Sequence, residues 1–307
     1  MTRLFVLGSG SRGNCCALEH EGSVLLIDAG FSAREIGRRA AAVGLALDGL
    51  VGIALTHEHG DHARGAARLA AQTNVPLLTA LGTWDRLHRL RGRLRHVPLP
   101  LLQEVVLGPF TVRAGPTCHD AAEPVALVVR TAEGAALGVA YDLGRATAAT
   151  RYLLRDLTAI VIEANHDDFM LRTSSYPPVV QQRIAGSAGH LSNRAAAELL
   201  AELHHPGLAV VVLAHLSERC NTAADARGTV EAALKRAGFR GALYVAEQDA
   251  PLPAIELRPG PTRACVIRGR RSGRLLGVGI RRNRYGIGPG RGRTDFVEGD
   301  RLSQVSA

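Results

Sequence analysis

The stretch "THEHGDH", residues 56 to 62, places His57, His59, Asp61 and His62 almost side by side. His57 and His59 are two apart, so on an extended segment leaving a strand both imidazoles project to the same side. Asp61 and His62 follow at the start of a helix, where they diverge from the first pair and can reach a second ion. Imidazole and carboxylate donors suit Zn2+, Mn2+ or Fe, and two ions roughly 3.5–4 Å apart are the usual clamp on the attacking and leaving oxygens of a hydrolysis. A polar loop with accidental histidines is the plain alternative, and the position of the cluster just after the apolar run "LVGIAL" weighs against it. Four donors cannot fill two coordination spheres, so the rest must come from elsewhere in the chain.

Equivalent places supply candidates. Asp142 ends the run "ALGVAY", His215 ends "LAVVVLA", Glu163 closes "AIVIE", and His119 follows "FTVRA" across a loop containing Gly115 and Pro116. Strands in α/β architectures deliver functional groups to one edge of a sheet, which lets side chains distant in sequence converge. Taken singly, each of these residues could equally be a helix cap, a turn residue or a packing histidine. His88, His96, His204 and His205 have no such placement and are expected on the surface. His166, in "EANHDD", fits either a ligand or a loop residue.

The elements that must position these groups are legible as β-branched or leucine-rich runs alternating with alanine-rich helical stretches. Residues 4–7, 16–20 and 23–28 read as strands, with Glu21-Gly22 as a hairpin turn between the second and third. Ser32 and Glu35 form a capping box that opens a helix, and Gly44 stops it. "LVGIAL" is a strand, and "DHARGAARLAAQ" begins a helix right after it. Later strands are "FTVRA", "VALVVR", "ALGVAY", "AIVIE", "LAVVVLA" and "ALYVAE", with helices near 193–205 and 223–237, the second capped by Thr222 and Asp225. The class is α/β with two clusters of strands. "GSGSRG" (8–13) satisfies G-x-G-x-x-G, and Asp28 stands where a ribose-binding carboxylate would. A dinucleotide site needs a helix to open at those glycines, whereas a hairpin follows, so a tight turn lining a site is the better reading.

Composition narrows the class. The 307 residues are 46% hydrophobic, enough for one large core or two smaller ones. The first thirty residues lack a basic stretch followed by an apolar one, and no apolar run reaches spanning length, so a cytoplasmic protein with no membrane segment is expected. Cys15, Cys16, Cys118, Cys220 and Cys265 are irregularly spaced without a CxxC and read as reduced thiols. From Arg258 onward twelve arginines face Asp295, Glu298 and Asp300, which leaves +9, the formal charge of the whole chain. Residues 1 to 257 are therefore neutral and form the folded domain, while 258 to 307 are an Arg/Gly-rich tail expected to be disordered. That tail is either a solvated extension or a grip on single-stranded nucleic acid. "DRLHRLRGRLRH" (85–96) could likewise guide a phosphate backbone or be a solvated face.

The six residues "HEHGDH" are an H-x-H-x-D-H motif, and on it the chain resembles the metallo-β-lactamase-fold hydrolases over about residues 1 to 250. The resemblance implies a four-layer αββα sandwich and two divalent metal ions, Zn2+ or Mn2+. By position, His57, His59 and His119 would hold one ion, Asp61, His62 and His215 the other, with Asp142 bridging and Asp28 of "IDAG" beneath the histidines. "TCHDAAEP" differs from the G-H-T-x-G context of the glyoxalase-type thioesterases. "GHLSNRAAAELLAE" followed by "VVLAHLSERCN" resembles the C-terminal region of tRNase Z, although the long exosite insertion is missing, which counts against tRNA processing. The set "SGSRGNC", "LLIDAG", "EANHD", "GHLSN" and "AHLSE" most closely resembles the YycJ/WalJ-type branch, regarded as DNA exonucleases. That match implies His190 as general acid and Glu163 as its orienting partner, and Asp61 could orient the attacking hydroxide through a hydrogen bond. The expectation is a metal-dependent nuclease acting on DNA rather than RNA, with no obligate protein partner evident. A thioesterase-type small-molecule hydrolase, a tRNA-processing endonuclease and a binding protein without catalysis are the alternatives, the last disfavoured because every metal position is filled.

Overall fold

The computed structural model describes residues 1–87 and 94–259. Two seven-stranded sheets form the centre of the fold. The first runs β14 (Ile255–Leu257), β1 (Thr2–Gly8), β2 (Cys15–His20), β3 (Ser23–Ile27), β4 (Leu50–Ala54), β5 (Leu77–Thr79) and β6 (His96–Pro98) in spatial order. The second runs β13 (Ala242–Val245), β12 (Val210–Ala214), β11 (Ala159–Glu163), β10 (Ala136–Ala140), β9 (Val125–Thr131), β8 (Phe110–Pro116) and β7 (Glu104–Leu107). In each sheet the hairpin half is antiparallel and the half that feeds helices is parallel, as a crossover through a helix requires.

Side-chain alternation sorts the apolar residues into three layers of core. Leu4 and Val6 of β1 meet Val139 and Val161 between the sheets, while Phe5 and Leu7 turn outward to Ile36 of α1 (Ala33–Ala42) and Leu69 of α3 (Ala66–Thr73). On the far side Ile160 and Ile162 of β11 pack on Leu199 and Leu200 of α8 (Asn193–Leu203) and Val230 of α9 (Ala223–Arg236). The result is helix, sheet, sheet, helix, the four-layer αββα sandwich that the two strand clusters imply.

Local signals hold where they are short-range. Ser32 Oγ accepts the Glu35 N–H at 3.2 Å, Thr222 Oγ1 accepts that of Asp225 at 3.1 Å, and Glu21 and Gly22 take the positive φ values of the hairpin turn. The helix read through "DHARGAARLAAQ" is instead broken into α2 (Gly60–Ala63) and α3. Its 65-to-61 hydrogen bond is not made: the Gly65 N–H goes to Ala29 O, and Asp61 O accepts from Asn14 N at 2.7 Å. A side chain at position 65 would meet Phe31 O at 2.1 Å, so glycine is required there.

Three of the histidines expected at the surface are half-buried and engaged. His96 stacks on Trp84 at 4.1 Å, His205 Nε2 lies 2.9 Å from Leu157 O, and His204 meets the Phe239 ring edge-on. His88 and most of the arginines of 85–96 lie outside the described residues, as does the Arg/Gly tail from residue 260. Cys15, Cys16, Cys118 and Cys220 are free thiols. Among the described residues no helix is long and apolar enough to cross a membrane.

Candidate metal centre

Sequence-distant side chains meet where the strands of both sheets end. His57 and His59 lie on the segment after β4, with Asp61 and His62 in α2. His119 follows β8, Asp142 follows β10, Glu163 is the last residue of β11, and His215 follows β12. Asp28, Asp142 and His215 all have left-handed backbone, at φ +59°, +48° and +55°. Such φ values are uncommon outside glycine and cost about 1 kcal/mol or more each. At these strand ends the turn aims a side chain at the histidine and aspartate cluster, a placement of strain typical of a functional site.

The donor atoms of His57, His59 and His119 lie within 4.8 Å of one another, and so do those of Asp61, His62 and His215. Asp142 stands between the two sets, with Oδ2 3.4 Å from His57 Nε2 and 2.9 Å from His62 Nε2, and Oδ1 3.5 Å from His215 Nε2. Asp61 Oδ2 is 3.4 Å from both His62 Nε2 and His215 Nε2. His57, His62, Asp142 and His215 form a buried floor, while His59, Asp61 and His119 are half-buried toward the open side.

A layer of hydrogen bonds orients these groups. Asp28 accepts from His62 Nδ1 at 2.7 Å and from Thr56 N at 2.8 Å, and the Thr56 hydroxyl lies 3.1 Å from His57 Nδ1. The "GSGSRGN" turn is indeed a lining element. Ser9 Oγ accepts the His215 N–H and donates to Asn14 Oδ1, and Asn14 Nδ2 lies 3.2 Å from His62 Nε2. Glycine at position 30 is required by proximity, since a side chain there would meet Asp61 O at 1.7 Å. Asn165 donates to His215 O at 2.9 Å, and Glu58 accepts from Ala122 N at 2.8 Å, which braces the loop bearing His119. Thr56, Asn14, Asn165 and Glu58 escaped the sequence reading. The one signal available was their adjacency to the motifs "HEHGDH", "SGSRG" and "EANHD".

His190 sits beside the floor, its ring stacked on His215 at 5.3 Å. Its Nδ1 is 2.7 Å from Glu163 Oε1, while Glu163 Oε2 accepts from Leu143 N and Leu191 N at 2.9 Å. Burial opposes charge on His190, but the Glu163 and Asp142 carboxylates outweigh it and raise its pKa to about 10. His166 does not join the cluster. It is buried, bridges by backbone to Ser192, and belongs to none of the donor groups found among the described residues.

The donor set fits cations. His57 Nε2 is buried and makes no hydrogen bond, and a buried polar atom left so costs about 1–3 kcal/mol unless something satisfies it. Burial keeps His57 and His119 below the usual imidazole range, the neutral form a metal needs. At His215 burial is overcome by Asp142 and by hydrogen bonds to Asp61 and Glu163, which raise the pKa to about 9. The carboxylates thus draw positive charge onto the nitrogens that would face an ion.

Residues 24–216 match the beta-lactamase superfamily domain, and the chain belongs to that superfamily. It is 31% identical over 242 residues to exodeoxyribonuclease YycJ of Bacillus anthracis, spanning 76% of this chain and 89% of the relative. It is 28% identical over 262 residues to exodeoxyribonuclease WalJ of Streptococcus pneumoniae, spanning 82% and 97%. Among solved structures it is similar to the metallo-beta-lactamase fold protein YhfI from Bacillus subtilis, with a TM-score of 0.61 at 17% identity over 82% of this chain and 98% of that one. The fold is that of metal-dependent hydrolases, which use divalent ions, and the chain is such an enzyme.

Proposed function

We propose that this hydrolase cleaves nucleic-acid phosphodiesters and is a DNA exonuclease, with His57, His59 and His119 holding one divalent ion, Asp61, His62 and His215 a second, and Asp142 between them. The observation that carries the reading is the His190–Glu163 pair set beside the complete donor set. The two relatives named as exodeoxyribonucleases support the choice of DNA.

When bound, the two ions, Zn2+ or Mn2+, supply positive charge for the phosphate and an acidified water. The protein does the rest. Asp61, more open than the floor residues, accepts a hydrogen bond from the attacking water and sets its direction. Glu163 holds the His190 Nδ1 proton, and in the imidazolium that Glu163 and Asp142 favour, Nε2–H is the donor to the departing sugar oxygen. An alkoxide leaving group needs that proton, whereas a thiolate from a thioester does not. A protonated imidazole held by a buried carboxylate is therefore matched to an oxygen leaving group.

The test is a side-by-side assay of protein loaded with Mn2+ or Zn2+ on end-labelled duplex DNA, closed circular DNA, single-stranded RNA and a glutathione thioester. Linear duplex should shorten from its ends while circles survive, and activity should fall steeply as salt screens phosphate contacts. Efficient thioester cleavage with every nucleic acid intact would replace this reading with a small-molecule hydrolase.

A further inference from the structure

α7 (Pro178–Ala185) buries none of its residues, and Val179 is 70% exposed. A helix that merely covered a sheet would sink one face, as α8 does with Leu199, Leu200 and Leu203. Its ties run to the candidate site instead. Ile184 O accepts the His190 N–H at 2.8 Å, and His119 Nδ1 lies 3.1 Å from Gly189 O, so the helix's C-terminal end is fastened to two site histidines. Between the helix and those histidines lies a pocket. Val180 and Ile184 give it an apolar wall, His119 and His190 form its inner side, and Arg183 with Asp120 stands at its edge.

Arg183 Nη2 is 3.0 Å from Asp120 Oδ2, and both side chains are mostly in solvent. Exposed pairs of this kind contribute little to stability. A guanidinium pairs more strongly with a phosphate, through two parallel charge-assisted hydrogen bonds, so an incoming phosphate can take Arg183 from Asp120 at small cost. Until then Asp120, next to His119 in sequence, keeps the guanidinium over the pocket.

We propose that this pocket seats the terminal nucleotide of a DNA strand, with sugar and base against Val180 and Ile184 and its terminal phosphate on Arg183. The proposal rests on the phosphodiesterase reading above and adds what selects an end. The recess between α7 and the His119 loop would hold the last nucleotide of a strand beside the candidate site.

The experiment is steady-state degradation of end-labelled duplex by the metal-loaded protein across a range of salt concentrations. Arg183→Ala should raise KM about tenfold with kcat little changed, the loss expected for one good phosphate contact. The slope of log kcat/KM against log salt should fall by roughly 0.7–0.9, the value of one phosphate contact. Val180→Trp, which fills the apolar side, should lower kcat/KM about tenfold with the slope intact. Arg240→Glu changes net charge before β13, at the opposite strand ends from the site, and should alter neither quantity. If the wild-type protein shortens DNA and Arg183→Ala keeps its KM and slope, the pocket is not the end-binding subsite, while the nuclease reading stands. A wild-type protein inert on every DNA overturns that reading first and the subsite with it.

Discussion

Asp28 Oδ2 and His62 Nδ1 meet at 2.7 Å with both side chains fully buried, and that contact decides which nitrogen of His62 faces the site. With the Nδ1 proton committed to Asp28, Nε2 turns its lone pair toward Asp142, 2.9 Å away. Two buried acceptors at that distance repel unless a proton or a cation lies with them. On the proposed two-ion assignment a cation takes that place, and Asp28 is what turns Nε2 toward it.

Asp28→Asn should test this directly. An asparagine can present an N–H to Nδ1, which moves the ring proton to Nε2 and blocks coordination. Affinity for Zn2+, measured by competition with a chromophoric chelator, should fall about 10–100-fold. Unchanged affinity would show that the contact serves packing alone.

A shared ligand and a private one should differ in stoichiometry. Asp142 lies against His57, His62 and His215, whereas His59 groups with His57 and His119 only. Elemental analysis of Asp142→Ala should therefore show losses from both sites, and His59→Ala should retain one ion. A single ion in the wild type, unaffected by Asp142→Ala, contradicts the binuclear assignment.

His190→Ala should keep both ions, because it belongs to neither of the donor groups assigned to them, His57 with His59 and His119, and Asp61 with His62 and His215. Its rate on DNA should drop by roughly 10²–10⁴, and by much less on an aryl phosphodiester whose leaving group departs unprotonated. Loss of metal from this variant would move His190 into the coordination sphere.

How far the sequence discloses this site follows from the range of each signal. The "HEHGDH" cluster is visible because its spacing is local, and Asp142, Glu163 and His215 are visible because each closes an apolar β run. Thr56, Asn14 and Asn165 carry no pattern of their own. They matter only because folding brings Asp28, His62 and His215 within reach. β5, β6 and β14 are three residues each, too short for alternation to register. The break at Gly65 depends on Ala29 and Asn14, contacts that helix periodicity cannot foresee. α7 stays hidden for the converse reason, since a helix that buries nothing has no apolar stripe to read.

The Ser32 cap leads to a last prediction, about acid stability, because the Glu35 carboxylate turns to two arginines instead of closing the capping box on the Ser32 N–H. Glu35 accepts from Arg38 at 2.9 and 2.7 Å and from Arg39 Nε at 2.6 Å. Arg39, buried beneath it, rests on the Phe31 ring and donates to Leu7 O and Gln248 O, which ties α1 to the end of β1 just before the "GSGSRG" turn. The hydrogen bonds from Arg38 and Arg39 lower the Glu35 pKa from 4.5 to about 2. A carboxylate depressed in the folded state stabilises it fully above the unfolded pKa and ceases to do so as pH falls through the folded one. Glu35→Gln should therefore cost about 1 kcal/mol at neutral pH, the size of a partly exposed ion pair. The gap should persist down to about pH 4.5 and close by about pH 2. Paired thermal melts of the metal-free proteins between these limits isolate the Glu35 contribution, because every other carboxylate titrates in both. A gap as wide at the acid end as at neutrality would mean that Glu35 acts through its shape in the cap and not through its charge on Arg38 and Arg39.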